Sequence, residues 1–302
     1  MTAPNYLVDA SIYIFRAYFS LPERWHSPEG YPLNAVYGYT SFLLDLFDSL
    51  GAGPHSLACA FDESLGSCFR NDIYPDYKSS RELPDEALAY QLEACRQVSE
   101  LLAVPCFSGS RHEADDYIAT LATLGRQGQQ PAIIVSRDKD LGQLLLAEGD
   151  RLWDFAAGVS LDAAGFEARF GVEPQQFPDY QGLVGDPVDD IPGVPAIGAK
   201  SGALLIRAHG NLETLAQQRH QLLDLGLRGA ARISNNLENH WDAALLSREL
   251  ARLDTAVPGV SLPEPWQLRA ESLARLVDYL ESIELRGGVL NRARRLLADG
   301  VA

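Results

Sequence analysis

Three short apolar runs, each closing on an acid, constrain this chain more than anything else in it. Tyr6-Leu7-Val8 ends in Asp9, Leu57-Ala58-Cys59-Ala60-Phe61 ends in Asp62, and Ala132-Ile133-Ile134-Val135 leads into Ser136-Arg137-Asp138-Lys139-Asp140. Runs that are apolar throughout, rather than alternating, read as strands buried on both faces. Helical periodicity fills the gaps: 37–50 after Asn34, 86–102 with Leu88, Leu92, Cys95, Val98 and Leu102 apolar, and about 113–124 with Ile118, Leu121 and Ala122 inward. Alternating strands and helices predict a largely parallel sheet covered on both sides. Such sheets bind ligands beyond the carboxyl ends of their strands, where these acids stand.

After about Phe177 no strand is predicted, and short helices are separated by Gly and Pro. Ile191-Pro192-Gly193-Val194-Pro195-Ala196-Ile197-Gly198 is a tight, turn-rich hairpin followed by a helix over about 199–208. Residues 64–84, with Arg70, Tyr74, Tyr77, Lys78 and Arg81, resist assignment. A polar connection of that length is usually functional.

The 302 residues are 46% hydrophobic and 22% charged, enough for a substantial core in one or two domains and incompatible with disorder. Lys plus Arg number 25 against 41 Asp plus Glu, a formal charge of -16, which excludes coating of nucleic acid or anionic membrane by bulk charge. Any nucleic-acid contact must be local. Cys59, Cys68, Cys95 and Cys106 form no CxxC pair, which speaks against structural zinc and against a disulfide scaffold. The start, MTAPNYLVDASIY, lacks the pattern of a signal peptide, and no apolar run approaches the ~20 residues that span a bilayer. A soluble cytoplasmic protein is expected. Among the basic residues, lysine survives only at Lys78, Lys139 and Lys200. A compact ammonium is not exchangeable for a guanidinium where a point charge must sit beside phosphate or metal.

Nine acids stand at element ends or in tight motifs: Asp9, Asp62, Glu113, Asp115, Asp116, Asp138, Asp140, Asp186 and Asp189. Glu113 and Asp116 share a helix face at a spacing of three. A lone strand-end Asp is more often a cap than a ligand, but three strand ends converging on one edge reverse that balance. Gathered in one cleft, each close pair repels by ~4 kcal/mol at 4 Å and an effective dielectric near 20. Cations must compensate. Oxygen-only ligands suit Mg2+ or Mn2+ rather than zinc, and two such ions ~4 Å apart serve in-line phosphodiester hydrolysis.

LVDASIYIFRAYF, LACAFD, FRNDIYPDYKSSR, HEADDYIATLA, IIVSRDKDLGQLL and GLVGDPVDDIPGVPAIGAKSGALLI together resemble, in order and separation over about residues 5–255, the 5′ nuclease domain of bacterial DNA polymerase I and the flap endonucleases. The resemblance implies a PIN-like α/β core over 1–180 with a helical arch at about 64–86. It implies a helical part over 181–302, with a helix-three-turn-helix at about 185–208. With no room for a polymerase domain, a stand-alone member is expected, a monomer acting on DNA that carries a 5′ single-stranded flap or junction. All nine acids match the family's two-ion metal site. Lys78 and Arg81 match its catalytic pair, Arg70 and Tyr77 further arch residues that would meet DNA, and Arg16 a contact on the flap side. Gly193, Val194, Ile197, Gly198 and Lys200 match the hairpin that would hold duplex phosphate, through a bound K+. Lys139, between two ligands, would balance charge.

Asp190 departs from the family's usual Asn, Pro187 and Val188 from small hydroxyl residues, His112 from an aromatic and Ala196 from a hairpin glycine. The rival reading is a non-catalytic, structure-specific DNA-binding protein of the same fold. Unneeded repelling carboxylates would destabilise such a protein. A haloacid-dehalogenase-like phosphatase needs a second Asp two residues after the first, where this chain has Ser11.

Overall fold

The computed structural model describes residues 3–64, 66–218, 222 and 229–300; Leu65, within the expected arch, lies outside them. Six strands form one sheet in the order β3-β2-β1-β4-β5-β6. They are β1 (Asn5–Asp9), β2 (Ser56–Ala60), β3 (Cys106–Phe107), β4 (Ala132–Val135), β5 (Arg151–Asp154) and β6 (Val159–Leu161). All pair in parallel except β6, which turns back antiparallel on β5. The three apolar runs are β1, β2 and β4, side by side at the centre, so their acids emerge together.

Adjacent residues of β1 serve opposite faces, as a strand's period of two requires. Val8 faces a core with α1 (Ala10–Ser20), α2 (Asn34–Leu50) and α4 (Glu86–Leu101). The late helices α12 (Ala270–Ser282) and α13 (Gly288–Asp299) complete it through Leu273, Leu276, Leu280, Leu290 and Ala293. Leu7 faces the second core, with α5 (Ala114–Gln127), α6 (Ala163–Phe170), α7 (Phe177–Val184), α8 (Ala199–His209), α9 (Leu212–Gln217), α10 (Ala230–Asn239) and α11 (Trp241–Ala251). Among the described residues no strand follows β6, as expected, although both cores draw on both halves of the chain. No described helix is long and apolar enough to cross a membrane.

The segment expected as a helical arch holds one short helix, α3 (Phe69–Ile73), followed by turns. It folds down onto the loop after α7 through Lys78 N–H to Asp189 O (3.0 Å) and Ser80 N–H to the Asp190 carboxylate (2.9 Å).

Candidate active site

At the end of β1 the chain turns directly into α1, so Asp9 is both the last strand residue and the helix N-cap, accepting from Ile12 N–H at 3.3 Å. Its other oxygen accepts from Ser136 Oγ at 2.8 Å, and the same hydroxyl accepts from Asp138 N–H at 3.0 Å. Ser11 Oγ accepts from Asp62 N–H at 2.8 Å, tying β2's acid to α1. Burial, with Asp138 and Asp62 adding like charge, pushes Asp9 up to about 7. Asp115, on the first turn of α5, is pushed well above the usual range by burial and then by Asp138 and Asp9. Asp140 rises to about 7, from burial and then Asp138, while accepting from Gln181 Nε2 at 2.8 Å.

Glu113, Asp116, Asp186 and Asp189 carry internal cations. Burial alone would raise Glu113, but Lys78 and Arg70 outweigh it and hold the carboxyl low. Glu113 accepts from Lys78 Nζ through Oε1, and from Tyr77 OH and Arg70 through Oε2, both at 2.9 Å. Asp189 pairs with Arg81 and stands 3.7 Å from Lys78. Asp186 pairs with Lys139 at 2.5 Å, and the same ammonium is 3.4 Å from Asp140. Lys139 thus sits between two acids.

Asp116 is a correction to the nine-ligand expectation. It is fully buried and accepts two hydrogen bonds from Arg70 (2.8 Å each), one from Glu113 N–H (3.0 Å) and one from Asp254 N–H (2.9 Å). No lone pair is left for an ion. Its partner Arg70, expected to meet DNA, is 1% exposed. All five of its N–H donors are engaged, the rest by Glu113 and the carbonyls of Leu250 (2.8 Å) and Arg252 (2.7 Å). Tyr77 is likewise 4% exposed and packs with Ile191 and Leu250, so its ring does not face a ligand.

In the hairpin, Val194 and Ile197 are buried in the second core and leave only their backbone to a partner. Gly193 is required twice over: its φ is +64°, and a Cβ there would meet Gly185 N at 2.4 Å. A Cβ on Gly198 would meet nothing within 4 Å, so that position is open outward. Ala196 and Asp190, two of the departures, take φ of +65° and +56°, the left-handed region that Gly or Asn occupies at least cost. His112 packs near Phe69 and Tyr117 and stands 3.3 Å from Asp254, a packing role. Lys200, the open end of the hairpin, is exposed, as are Arg16 and Arg137. Sequence reasoning missed Ser136 and Gln181, which bond the carboxylates of Asp9 and Asp140, and Ser11, which bonds the backbone of Asp62. Their signal was a hydroxyl or amide within two residues of a strand end or one helix turn from Asp186.

Among the described residues, no three His, Cys, Asp or Glu side chains are grouped tightly enough as they stand to hold a metal ion. The donor set fits a hard divalent cation in kind: Asp138 raises both Asp9 and Asp115, and among the described residues none of the three has an ammonium or guanidinium bonded to it.

A parallel sheet delivering acids to one edge, joined to a helical half with a tight glycine hairpin, is the architecture of a resolvase-like core with a helical companion. Residues 4–171 match the family model described as "5'-3' exonuclease, N-terminal resolvase-like domain", and residues 172–273 match "5'-3' exonuclease, C-terminal SAM fold". The chain therefore belongs to the 5′-3′ exonuclease family. It is 30% identical over 255 residues to the "5'-3' exonuclease" of Buchnera aphidicola subsp. Schizaphis graminum, covering 84% of this chain and 88% of that one. It is 34% identical to the "DNA polymerase I" of Pseudomonas aeruginosa over 99% of this chain, and spans only 33% of that protein. Among solved structures, the T5 5'-exonuclease with bound divalent metal ions (zinc) aligns at a TM-score of 0.64 and 22% identity, covering 99% of this chain and 100% of that one. The catalytic core of Rad2 with DNA substrate aligns at 0.63 and 15%, covering 99% and 92%. These last two establish the shared fold.

Proposed function

We propose that this nuclease is divalent-metal-dependent and structure-specific, hydrolysing DNA phosphodiesters where a 5′ single-stranded flap meets duplex, as work in replication and repair requires. The observation that carries this reading is the group of mutually repelling carboxylates at Asp9, Asp115 and Asp138, with Asp62, Asp140, Asp186, Asp189 and Glu113 around it. Mg2+ or Mn2+ bound there would supply electrostatic stabilisation of the charge that develops on phosphate.

The chain's own residues do the rest. Lys78 and Arg81, paired with Glu113 and Asp189, can transfer their hydrogen bonds to a scissile phosphate as its charge grows. Ser136 holds the Asp9 carboxylate and the Asp138 backbone, and Ser11 holds the backbone of Asp62. Gly193, Val194, Ile197, Gly198 and Lys200 offer duplex phosphate an exposed turn, which K+ would help to bind. Arg16 lies toward the single-stranded arm. The protein acts as a cytoplasmic monomer in this reading.

The test is a labelled 5′-flap DNA with and without Mg2+, beside plain duplex and single strand. Cleavage near the junction, abolished by EDTA and restored by Mg2+ or Mn2+, is expected. Flap binding without cleavage in any divalent ion would instead support a non-catalytic DNA-binding protein.

A further inference from the structure

We propose that Arg16 and Arg137 form a phosphate-binding fork in the cleft between α1 and the loops that follow β4 and β5. This rests on the nuclease reading above and adds a seat for one phosphate of the substrate. The cleft encloses about 180 Å3 and is lined by Ile12, Tyr13, Arg16, Arg137, Asp154 and Ala157. That is room for one phosphate group and a few waters. Arg137 immediately precedes Asp138, and Arg16 stands two turns up α1 from Asp9, ~10 Å along the helix axis. The fork is therefore beside the acid edge, on its β4–β5 side.

Two observations single it out. The other cations near the acids are engaged: Lys78 by Glu113, Arg81 by Asp189, Lys139 by Asp186, and Arg70 by Glu113 and Asp116. Arg16 and Arg137 are exposed, and among the described residues neither side chain has an ion-pair or hydrogen-bond partner. The second observation is the contrast across α1. The cavity of about 920 Å3 on its other flank is lined by Asp62, Glu63, Glu82, Asp85 and Glu93 against Arg81 and Arg96, five negative charges to two positive. Both of those arginines are already bonded to carboxylates. In the small cleft two arginines face one acid, Asp154. Of these two cavities the small one carries the net positive charge, and guanidinium groups match phosphate oxygens in geometry as well as charge.

Asp154 works against the ligand. Its Oδ1 accepts from Ala157 N–H at 3.1 Å, an arrangement an asparagine can keep while losing the repelling charge.

The experiment measures binding of a fluorescent hairpin DNA with a 5′ single-stranded arm, in 5′-phosphate and 5′-hydroxyl forms, by anisotropy in calcium. Arg16→Ala and Arg137→Ala should each weaken binding about tenfold and flatten the slope of log affinity against log salt by ~0.7 for a single-strand phosphate. Arg137→Lys should recover only part of the loss. Asp154→Asn should tighten binding, a gain that misfolding cannot produce. A loss confined to the phosphorylated arm places a terminal monoester in the fork, and an equal loss in both forms places a backbone diester there. Wild-type binding with all these variants unchanged overturns the fork alone, and failure of the wild-type protein to bind or cut any armed DNA overturns it together with the nuclease reading.

Discussion

Adjacent aspartates on the first turn of α5 should respond in opposite directions to the same substitution. Asp116→Asn preserves shape but removes the charge facing Arg70, and it places an NH2 where only donors point: two from Arg70 and the N–H groups of Glu113 and Asp254. Arg70, 1% exposed, would be left with Glu113 as its only ionic partner. Breaking one side of a buried ion pair costs roughly 3–5 kcal/mol. At roughly 2–4 °C per kcal/mol for a protein of this size, the melting temperature should fall on the order of 10 °C. Asp115→Asn instead removes like charge from beside Asp9 and Asp138, so stability without divalent ions should hold or rise. Thermal and urea unfolding followed by circular dichroism in EDTA at pH 8 reads both. Shifts of the same sign and size would refute the division between a structural Asp116 and a functional Asp115.

Without divalent ions the protein should be more stable at pH 5.5 than at pH 8. Asp9 and Asp140 sit near 7 when folded against an ordinary 3.8, so between about pH 4 and 7 the folded state binds more protons than the unfolded one, and stability falls as pH rises. Glu113 has the opposite sign, but its lowered value places its effect below that window; a melting temperature flat or rising from pH 5.5 to 8 in EDTA would contradict the burial of these acids. Lys78→Ala should reduce single-turnover cleavage by ~10², the scale of one lost electrostatic stabiliser, with flap affinity changed far less; the reverse pattern would make Lys78 a binding residue only.

The central strands were legible because β1, β2 and β4 each hold a run of apolar residues without alternation, as burial on both faces requires. The outer three were not: β3 has two residues, β6 has three, and Arg151-Leu152-Trp153-Asp154 carries charge at both ends. At the site, acids at strand ends could be read from the chain because strand direction alone sends them to one edge. Asp116 could not, since an i,i+3 pair looks the same whether it grips an ion or closes a helix end, and its true partner lies 46 residues earlier. Arg70 and Tyr77 are placed toward DNA by resemblance to arch residues alone, which carries no information on burial. Their burial depends on the carbonyls of Leu250 and Arg252 and on Leu250's side chain, contacts across some 180 residues that no local pattern records.

The helices that close the first core over Val8 come from residues 270–299, so β1 waits for cover that is made long after it. During synthesis at ~5–20 residues per second, β1, β2 and β4 would all have left the ribosome while one face of their sheet still lacked Leu273, Leu280 and Leu290. Contacts of such sequence separation make for slow folding. Until α12 and α13 are made, that face of the sheet lacks part of the cover its own chain supplies.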